Sequence, residues 1–317
     1  MRPSEQNTRI FAFITDRCRN TCQYCFVYRE DKKNDMTVEQ FRHLCEIGKD
    51  KYRYLTFIGG EPLLHPNLHQ LALIAINKGF KISISTSGIE NYNQNIDQIF
   101  SLPIDDVTVS LDSFNEKTND CLRGVGSYNR AVETIKYLIS KNIACRVTAT
   151  ICRNNIDDVF HLAEFVKDLG AFQLDLHVMS KKGRAEGRND LELSPAEWYG
   201  VRCMLDNKKF PEPFNISYPI MWYKGDEFEA LKNYCDASNG SRLSVMSNCE
   251  CYYCTISIGF SEYKGDLSPK FIEEGPSLYK KDSNLCNTEL KIDTNCTGFK
   301  YLCRFYKRKT MFLEQQN

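Results

Sequence analysis

Between Asp16 and Phe26 the chain reads DRCRNTCQYCF, with Cys18, Cys22 and Cys25 close together and Tyr24 just before the last. Thiolates are soft ligands, and clustered ones in a reducing compartment point to metal. A structural zinc site normally closes with four Cys or His ligands, often from paired C-x-x-C knuckles. No partner knuckle lies nearby, and the nearest histidine, His43, falls in a helical stretch. A thioredoxin-like redox pair has no use for a third thiol. Three thiolates with one position left open suit a [4Fe–4S] cluster whose fourth iron binds a small molecule.

Composition narrows the function classes. The 317 residues suffice for a large core and one or two domains. Lys+Arg and Asp+Glu are both 41, so no global field favours nucleic acid or an anionic membrane. The start, MRPSEQNTRI, has no signal-peptide core, and no apolar run is long enough to span a bilayer. The expectation is a cytoplasmic protein with neither nucleic acid nor membrane as partner. Fifteen cysteines is an odd number, unlike a disulfide scaffold. Cys45, Cys121, Cys145, Cys152 and Cys203 are scattered singly and read as small apolar residues.

The elements that must position the thiols alternate in type from Arg9 to Met179. Strand-like runs RIFAFIT, YLTFIGG, KISISTSG, DVTVSLD, ACRVTATI and AFQLDLHVM are separated by amphipathic stretches, the pattern of successive βα units on a parallel sheet. In SYNRAVETIKYLISK the apolar residues recur at helical spacing. In NNIDDVFHLAEFVKDLG, Asn155 is placed to cap the helix and Gly170 to end it. Four strands alternate polar and apolar: Ser83 and Ser85; Thr108, Ser110 and Asp112; Arg146, Thr148 and Thr150; Gln173, Asp175 and His177. A parallel strand buried on both faces reads as continuously apolar, so these polar sides suggest a curved, ligand-lined sheet. After Met179, SKKGRAEGRND reads as a linker, followed by a helix around SPAEWYGVRCMLDN, a proline-punctuated stretch from Phe210 to Pro219, and a cysteine-rich tail.

C-x3-C-x2-C with an aromatic before the last Cys resembles the signature of the radical S-adenosylmethionine (SAM) superfamily, and further motifs follow in order. Gly59-Gly60-Glu61-Pro62 resembles its GGEP element for the SAM amino group. Ser85-Thr86-Ser87-Gly88 stands where a turn meets the ribose, and Val109 to Asp112, with Ser110, followed by Arg123-Gly124, resembles the family's fourth-strand element and the arginine that binds the SAM carboxylate. The resemblance covers roughly residues 9–180. It implies an α/β fold, a partial (β/α)6 TIM-like barrel over 1–180, with 181–230 as linker and helical connection. It implies that Cys18, Cys22 and Cys25 hold the [4Fe–4S] cluster and that Tyr24, Gly59, Gly60, Glu61, Ser85, Thr86, Ser110 and Arg123 contact SAM. Such a cluster, toward the negative end of a range of roughly −700 to +450 mV, injects one electron into SAM and leaves a 5′-deoxyadenosyl radical. The glycines are then expected to let backbone approach the ligand, Glu61 to accept from an ammonium, and Tyr24 to pack on adenine or in the core.

Residues 231–317 resemble the small C-terminal SPASM/twitch iron–sulfur domain of that superfamily, and KGRAE resembles the segment joining it to the barrel. By that resemblance Cys235, Cys254, Cys296 and Cys303, with Cys286 as substitute, hold one auxiliary cluster; a tetra-thiolate zinc site, or no metal, remain alternatives. Cys249 and Cys251 are then extra, either hydrogen-atom donors or hairpin residues without a role. SPASM/twitch relatives mostly crosslink, epimerise or oxidise peptides, and some act on aminosugars. The expectation is hydrogen abstraction from a carbon of a peptide, by an oxidoreductase or epimerase-type enzyme served by a reductant such as flavodoxin or ferredoxin. An epimerase or dehydrogenase of a small molecule is the rival, and a non-catalytic metal-binding or electron-transfer module the rival of another class. With the first strand beginning around Arg9, no amino-terminal leader-binding domain is expected, which mildly weakens the peptide reading. Asp175 and His177 are wall residues that can contact substrate.

Overall fold

The computed structural model describes residues 8–27, 34–92, 94–224, 240–254, 257, 258, 261, 264–276 and 299–307, with only the backbone for 220–224 and 299–307. In chain order these form β1 (Arg9–Thr15), α1 (Val38–Gly48), β2 (Tyr54–Gly59), α2 (Leu68–Asn77), β3 (Lys81–Thr86), α3 (Gln94–Phe100), β4 (Ile104–Ser110), α4 (Glu116–Arg123) and α5 (Ser127–Ser140). They continue with β5 (Cys145–Ile151), α6 (Val159–Asp168), β6 (Gln173–Val178), α7 (Pro195–Asn207), β7 (Asn215–Lys224), β8 (Arg242–Val245), β9 (Cys251–Tyr252), α8 (Pro269–Glu274) and β10 (Phe299–Lys307). The alternation of parallel strands and helices expected from the sequence is present. No helix among the described residues is long and apolar enough to cross a membrane.

Two compact units emerge. One groups the described residues of Met1–Asn20, Arg29–Thr108 and Cys235–Ser283. Here β8, β1, β2 and β3 lie side by side in parallel: Arg9 faces both Arg242 and Tyr54, and Tyr54 faces Lys81. One sheet face carries Ile10, Ala12, Ile14, Leu55, Phe57, Ile82, Ile84, Leu243 and Val245, all buried. Each of these side chains larger than alanine contributes about 1.5–3 kcal/mol when fully buried. Helix α1 starts in a capping box of Thr37 and Gln40 and stacks Phe41 on Phe57 of β2, ring centroids 5.5 Å apart. On the other face Arg9 Nη1 donates to Thr56 Oγ1 at 2.6 Å and Ser83 Oγ at 3.4 Å.

The other unit groups the described residues of Thr21–Tyr28, Val109–Tyr234 and Asn284–Asn317. Strands β5, β6 and β7 run parallel, and β10 pairs antiparallel with β7. Val147, Ala149, Ile151, Leu174, Leu176 and Val178 form the buried face. The opposite face is occupied by its own bonds: Asp175 accepts from Arg146 Nη1 at 3.4 Å and from Gln173 Nε2 at 2.5 Å.

The proline-punctuated stretch takes a regular form, and one local expectation is corrected. That stretch supplies β7, in which Pro219 lies opposite Tyr306; proline is tolerated where its missing N–H costs no ladder bond. Asn155 does not cap the following helix. Its amide instead bonds Cys152 N–H, Asp112 O and Thr150 O at 2.8, 2.8 and 3.0 Å, so it locks the ends of β4 and β5, while α6 starts at Val159 after a short 3-10 turn. Gly170 does follow the helix end, with φ +93°.

Candidate active site

In the first unit, the loop after β2 is laid against the loop after β1. Gly60 N–H donates to Thr15 O and Glu61 N–H to Arg17 O, both at 2.7 Å. A Cβ on Gly60 would stand 2.2 Å from Arg17 O, and one on Gly59, at φ +152°, 2.5 Å from Thr15 O. The sequence suggested a ligand as the reason for both glycines. The near neighbour is the backbone of residues 15–17, which leads directly into the exposed Cys18.

Glu61 is 6% exposed. Its Oε1 accepts from Leu63 N–H at 3.1 Å and Thr86 Oγ1 at 2.7 Å; its Oε2 accepts from Ser87 N–H at 2.7 Å and Ser87 Oγ at 2.6 Å. A carboxylate offers about four lone-pair sites, so these donors engage the whole group. Burial pushes the Glu61 carboxyl up, and the Ser87, Thr86 and Leu63 donors pull it back. The side chain therefore brackets the β2 loop to the turn after β3, where Thr86 is buried and Ser85 half-buried.

In the second unit the loop carrying Cys22 and Cys25 is fixed from below by Tyr24. Its hydroxyl donates to Asp112 Oδ2 and accepts from Arg123 Nη1 at 2.8 Å; Arg123 Nη1 also reaches Asp112 Oδ1 at 3.2 Å. Thr150 N–H donates to the same Oδ1 at 2.8 Å. Asp112 is fully buried, and Tyr24 and Arg123 are each 8% exposed. Of the two places expected for Tyr24, the structure gives the core. Burial raises the Tyr24 phenol well above its usual range, with Arg123 opposing and Asp112 adding to the rise. Burial alone would lower Arg123, but Tyr24 and Asp112 outweigh it and hold the guanidinium charged. The loop's backbone follows the end of α4: Thr21 N–H donates to Arg123 O at 3.1 Å and Gln23 N–H to Leu122 O at 2.9 Å. Gly124, at φ +108°, faces Thr21, whose Oγ1 would lie 2.8 Å from an added Cβ. Ser110, at the end of β4, is half-buried. Asp112 was visible only as part of a strand motif, and nothing local in the sequence marks it as the partner of Tyr24.

The C-terminal hairpin belongs to the first unit. Ser247 Oγ donates to Asp16 Oδ1 at 2.7 Å. Cys249 is half-buried at the hairpin tip with φ +65°, and its N–H donates to Met246 O at 2.8 Å. Cys251 is fully buried, exchanges two backbone bonds of 2.9 Å with Gly265, and burial pushes its thiol up. Cys254 is half-buried. Cys235, Cys286 and Cys296 lie outside the described residues, as does the side chain of Cys303. Of the scattered cysteines, Cys45, Cys145 and Cys152 are buried as expected, Cys203 is half-buried, and Cys121 is exposed.

The donor set fits an iron–sulfur cluster with SAM. Cys18, Cys22 and Cys25 carry thiols, not disulfides, and none is deeply buried. Arg123 Nε is buried with no hydrogen-bond partner among the described residues, leaving one donor for a carboxylate. No three His, Cys, Asp or Glu among the described residues converge as a single metal ion requires.

Residues 13–166 match the radical SAM superfamily. A Selenomonas ruminantium S-adenosylmethionine-dependent nucleotide dehydratase is 34% identical over 128 residues, covering 39% of this chain and 45% of the relative. The Bacillus subtilis antilisterial bacteriocin subtilosin biosynthesis protein AlbA is 26% identical over 175 residues, covering 54% and 39%. The structure of Streptococcus suis SuiB bound to the precursor peptide SuiA superposes with a TM-score of 0.65 at 16% identity, covering 86% of this chain and 66% of that one. That likeness establishes the α/β fold class. The chain spans about half the length of the curated relatives it matches.

Proposed function

Because residues 13–166 are a radical SAM domain, we propose that the protein reductively cleaves SAM to a 5′-deoxyadenosyl radical and abstracts hydrogen from a carbon of a peptide. Cys18, Cys22 and Cys25 hold the [4Fe–4S] cluster, which supplies the electron for that cleavage. The observation that carries the reading is the thiol loop itself, fixed in backbone by α4 and through Tyr24 by a buried ion pair, inside the matched region. Such preorganisation keeps the thiolates in place without reorganisation at each turnover. Arg123 is charged and has its Nε–H to donate to the SAM carboxylate. Glu61 acts by holding Thr86 and Ser87 in place, so that the turn after β3 meets the ribose. Gly59 and Gly60 set the backbone from which Cys18 follows. Ser85 and Ser110 are hydroxyl contacts to SAM.

Peptide maturation is supported by AlbA, whose name is that of a bacteriocin biosynthesis protein. The nucleotide dehydratase favours a second reading, a small-molecule substrate with the same radical initiation. Cys235 and Cys254 with distal cysteines of residues 231–317 hold an auxiliary cluster, and the protein works in the cytoplasm with a flavodoxin- or ferredoxin-like reductant. Cys249 is the better placed of the two extra thiols to give up a hydrogen atom, since Cys251 is sealed in the core.

The test is 5′-deoxyadenosine formation by anaerobically reconstituted protein with SAM and a strong reductant. Cys18→Ala, Cys22→Ala and Cys25→Ala should each abolish it while the fold persists. Wild-type rates in those variants would end the cluster assignment. With radical formation established, short peptides and nucleotides offered side by side distinguish the substrate classes by which one is consumed.

A further inference from the structure

The thiol loop has a second wall that the proposed function does not use. After β6 the chain turns through Gly183–Ala185, at φ +62° for Gly183, and a Cβ there would lie 2.2 Å from Cys25 O and 3.0 Å from Phe26 C. Only glycine fits that contact. Arg184 N–H donates to Cys25 O at 3.0 Å, and Arg184 Nη1 reaches Cys22 O at 3.5 Å. Arg188 Nη2 donates to Gln23 Oε1 at 2.8 Å, while Asp190 holds the same guanidinium by bonds of 2.8 and 2.7 Å. The carbonyls of Cys22 and Cys25 and the side chain between them are thus gripped by one short segment. In the sequence that segment reads as linker.

We propose that Gly183–Arg188 is a positioning strap for the thiol loop. It fixes Cys22 and Cys25 relative to each other, and the Arg184 guanidinium biases the bound cluster toward its reduced form. This rests on the cluster reading above. The potential of an iron–sulfur cluster follows its net charge, the hydrogen bonds around it and its exposure, and a nearby cation favours the state with one more electron.

A matched pair of glycines tests the strap. Gly187 shares the left-handed backbone at φ +75°, but nothing lies within 4 Å of an added Cβ. Gly187→Ala therefore carries the backbone penalty alone. Iron and sulfide are counted per chain after anaerobic reconstitution, and the potential of the cluster whose signal is lost in Cys22→Ala is measured by EPR-monitored titration. Gly183→Ala should retain less than half of that cluster's iron, and Gly187→Ala nearly all of it. Arg184→Gln should lower the reduced-to-oxidised ratio about threefold at fixed potential, about 30 mV at roughly 59 mV per tenfold for one electron; Arg184→Lys should restore most of it. Equal iron in the two alanine variants, or a wild-type potential in Arg184→Gln, overturns the strap while leaving the cluster intact. Should Gly183→Ala not fold, the Arg184 potentials still decide. Full iron in Cys22→Ala overturns the underlying reading together with the strap.

Discussion

Asp112→Asn isolates what holds the thiol loop from below. The Asp112 carboxylate is fully buried and accepts from Tyr24, Arg123 and Thr150, with Arg123 Nη1 at 3.2 Å. Asparagine keeps the shape and one carbonyl oxygen but removes the charge. It leaves the Arg123 guanidinium, itself 8% exposed, without its counter-ion. Breaking one partner from a buried pair costs about 3–5 kcal/mol, chiefly because the other charge stays buried. Removing both charges should cost less. Arg123→Met in the Asp112→Asn background should therefore recover at least ~1 kcal/mol over the single variant, the non-additivity expected of groups in contact. Urea unfolding of the protein without cluster, followed by tryptophan fluorescence and circular dichroism, measures all three. A fall of under ~1 kcal/mol in Asp112→Asn, or costs that simply add in the double variant, would refute the argument that a desolvated ion pair anchors the loop.

Gly60→Ala should cost about 1–3 kcal/mol, the usual range for overpacking, because its Cβ would meet Arg17 O at 2.2 Å; a wild-type unfolding midpoint would show that the two loops separate at no cost. His65 is buried with Nε2 bonded to Met36 O at 3.0 Å, and burial lowers its pKa below 6.5. The unfolded chain then takes up the proton first, so stability holds above pH 6.5 and is lost as pH falls through the lowered value. Thermal midpoints between pH 7.5 and 5.5 should fall more steeply in wild type than in His65→Gln, and parallel slopes would count against a neutral buried His65. Cys254→Ala and Cys235→Ala should lower iron content while sparing part of SAM cleavage. Unchanged iron would remove the auxiliary cluster.

The strands could be read from the sequence because each is a short local run of β-branched, aromatic and apolar residues, four of them alternating with polar ones. RIFAFIT, for example, is β1 from Arg9 to Thr15. Motifs local in sequence were equally visible, such as the thiols at 18–25 and the glycines at 59 and 60. What could not be read was partnership across the chain. Glu61 looks like a ligand-binding carboxylate until Thr86 and Ser87 are seen to engage it from the turn after β3. Tyr24 looks free to stack until Asp112 and Arg123 are placed beneath it. Asn155 has the type and position of a helix cap, yet two strand ends compete for its amide more successfully. Proline at 219 carries a strong local signal for a turn, which pairing with β10 overrides. In each case a short-range propensity lost to a long-range bond.

The placement of β8 bears on how the two cysteine-rich regions are related. If the first unit's sheet stopped at β1, that strand would present an unpaired edge of N–H and C=O groups, a liability that proteins cover. Residues Arg242–Val245 cover it, with Ile10 opposite Leu243 and Ala12 opposite Val245. The C-terminal segment is thus a strand of this sheet rather than a tail hung from it. Because β8 runs parallel to β1, its carboxyl end opens at the edge where β1 ends at Thr15 and leads into Asp16. The Ser247–Asp16 bond closes that edge at 2.7 Å. The hairpin that presents Cys249 and leads to Cys254 therefore starts from the same sheet edge as the backbone that leads to Cys18. Parallel pairing fixes that polarity, since an antiparallel β8 would send the hairpin to the opposite end of the sheet. Within this unit, the strand that satisfies an exposed edge also determines where the second set of thiols begins.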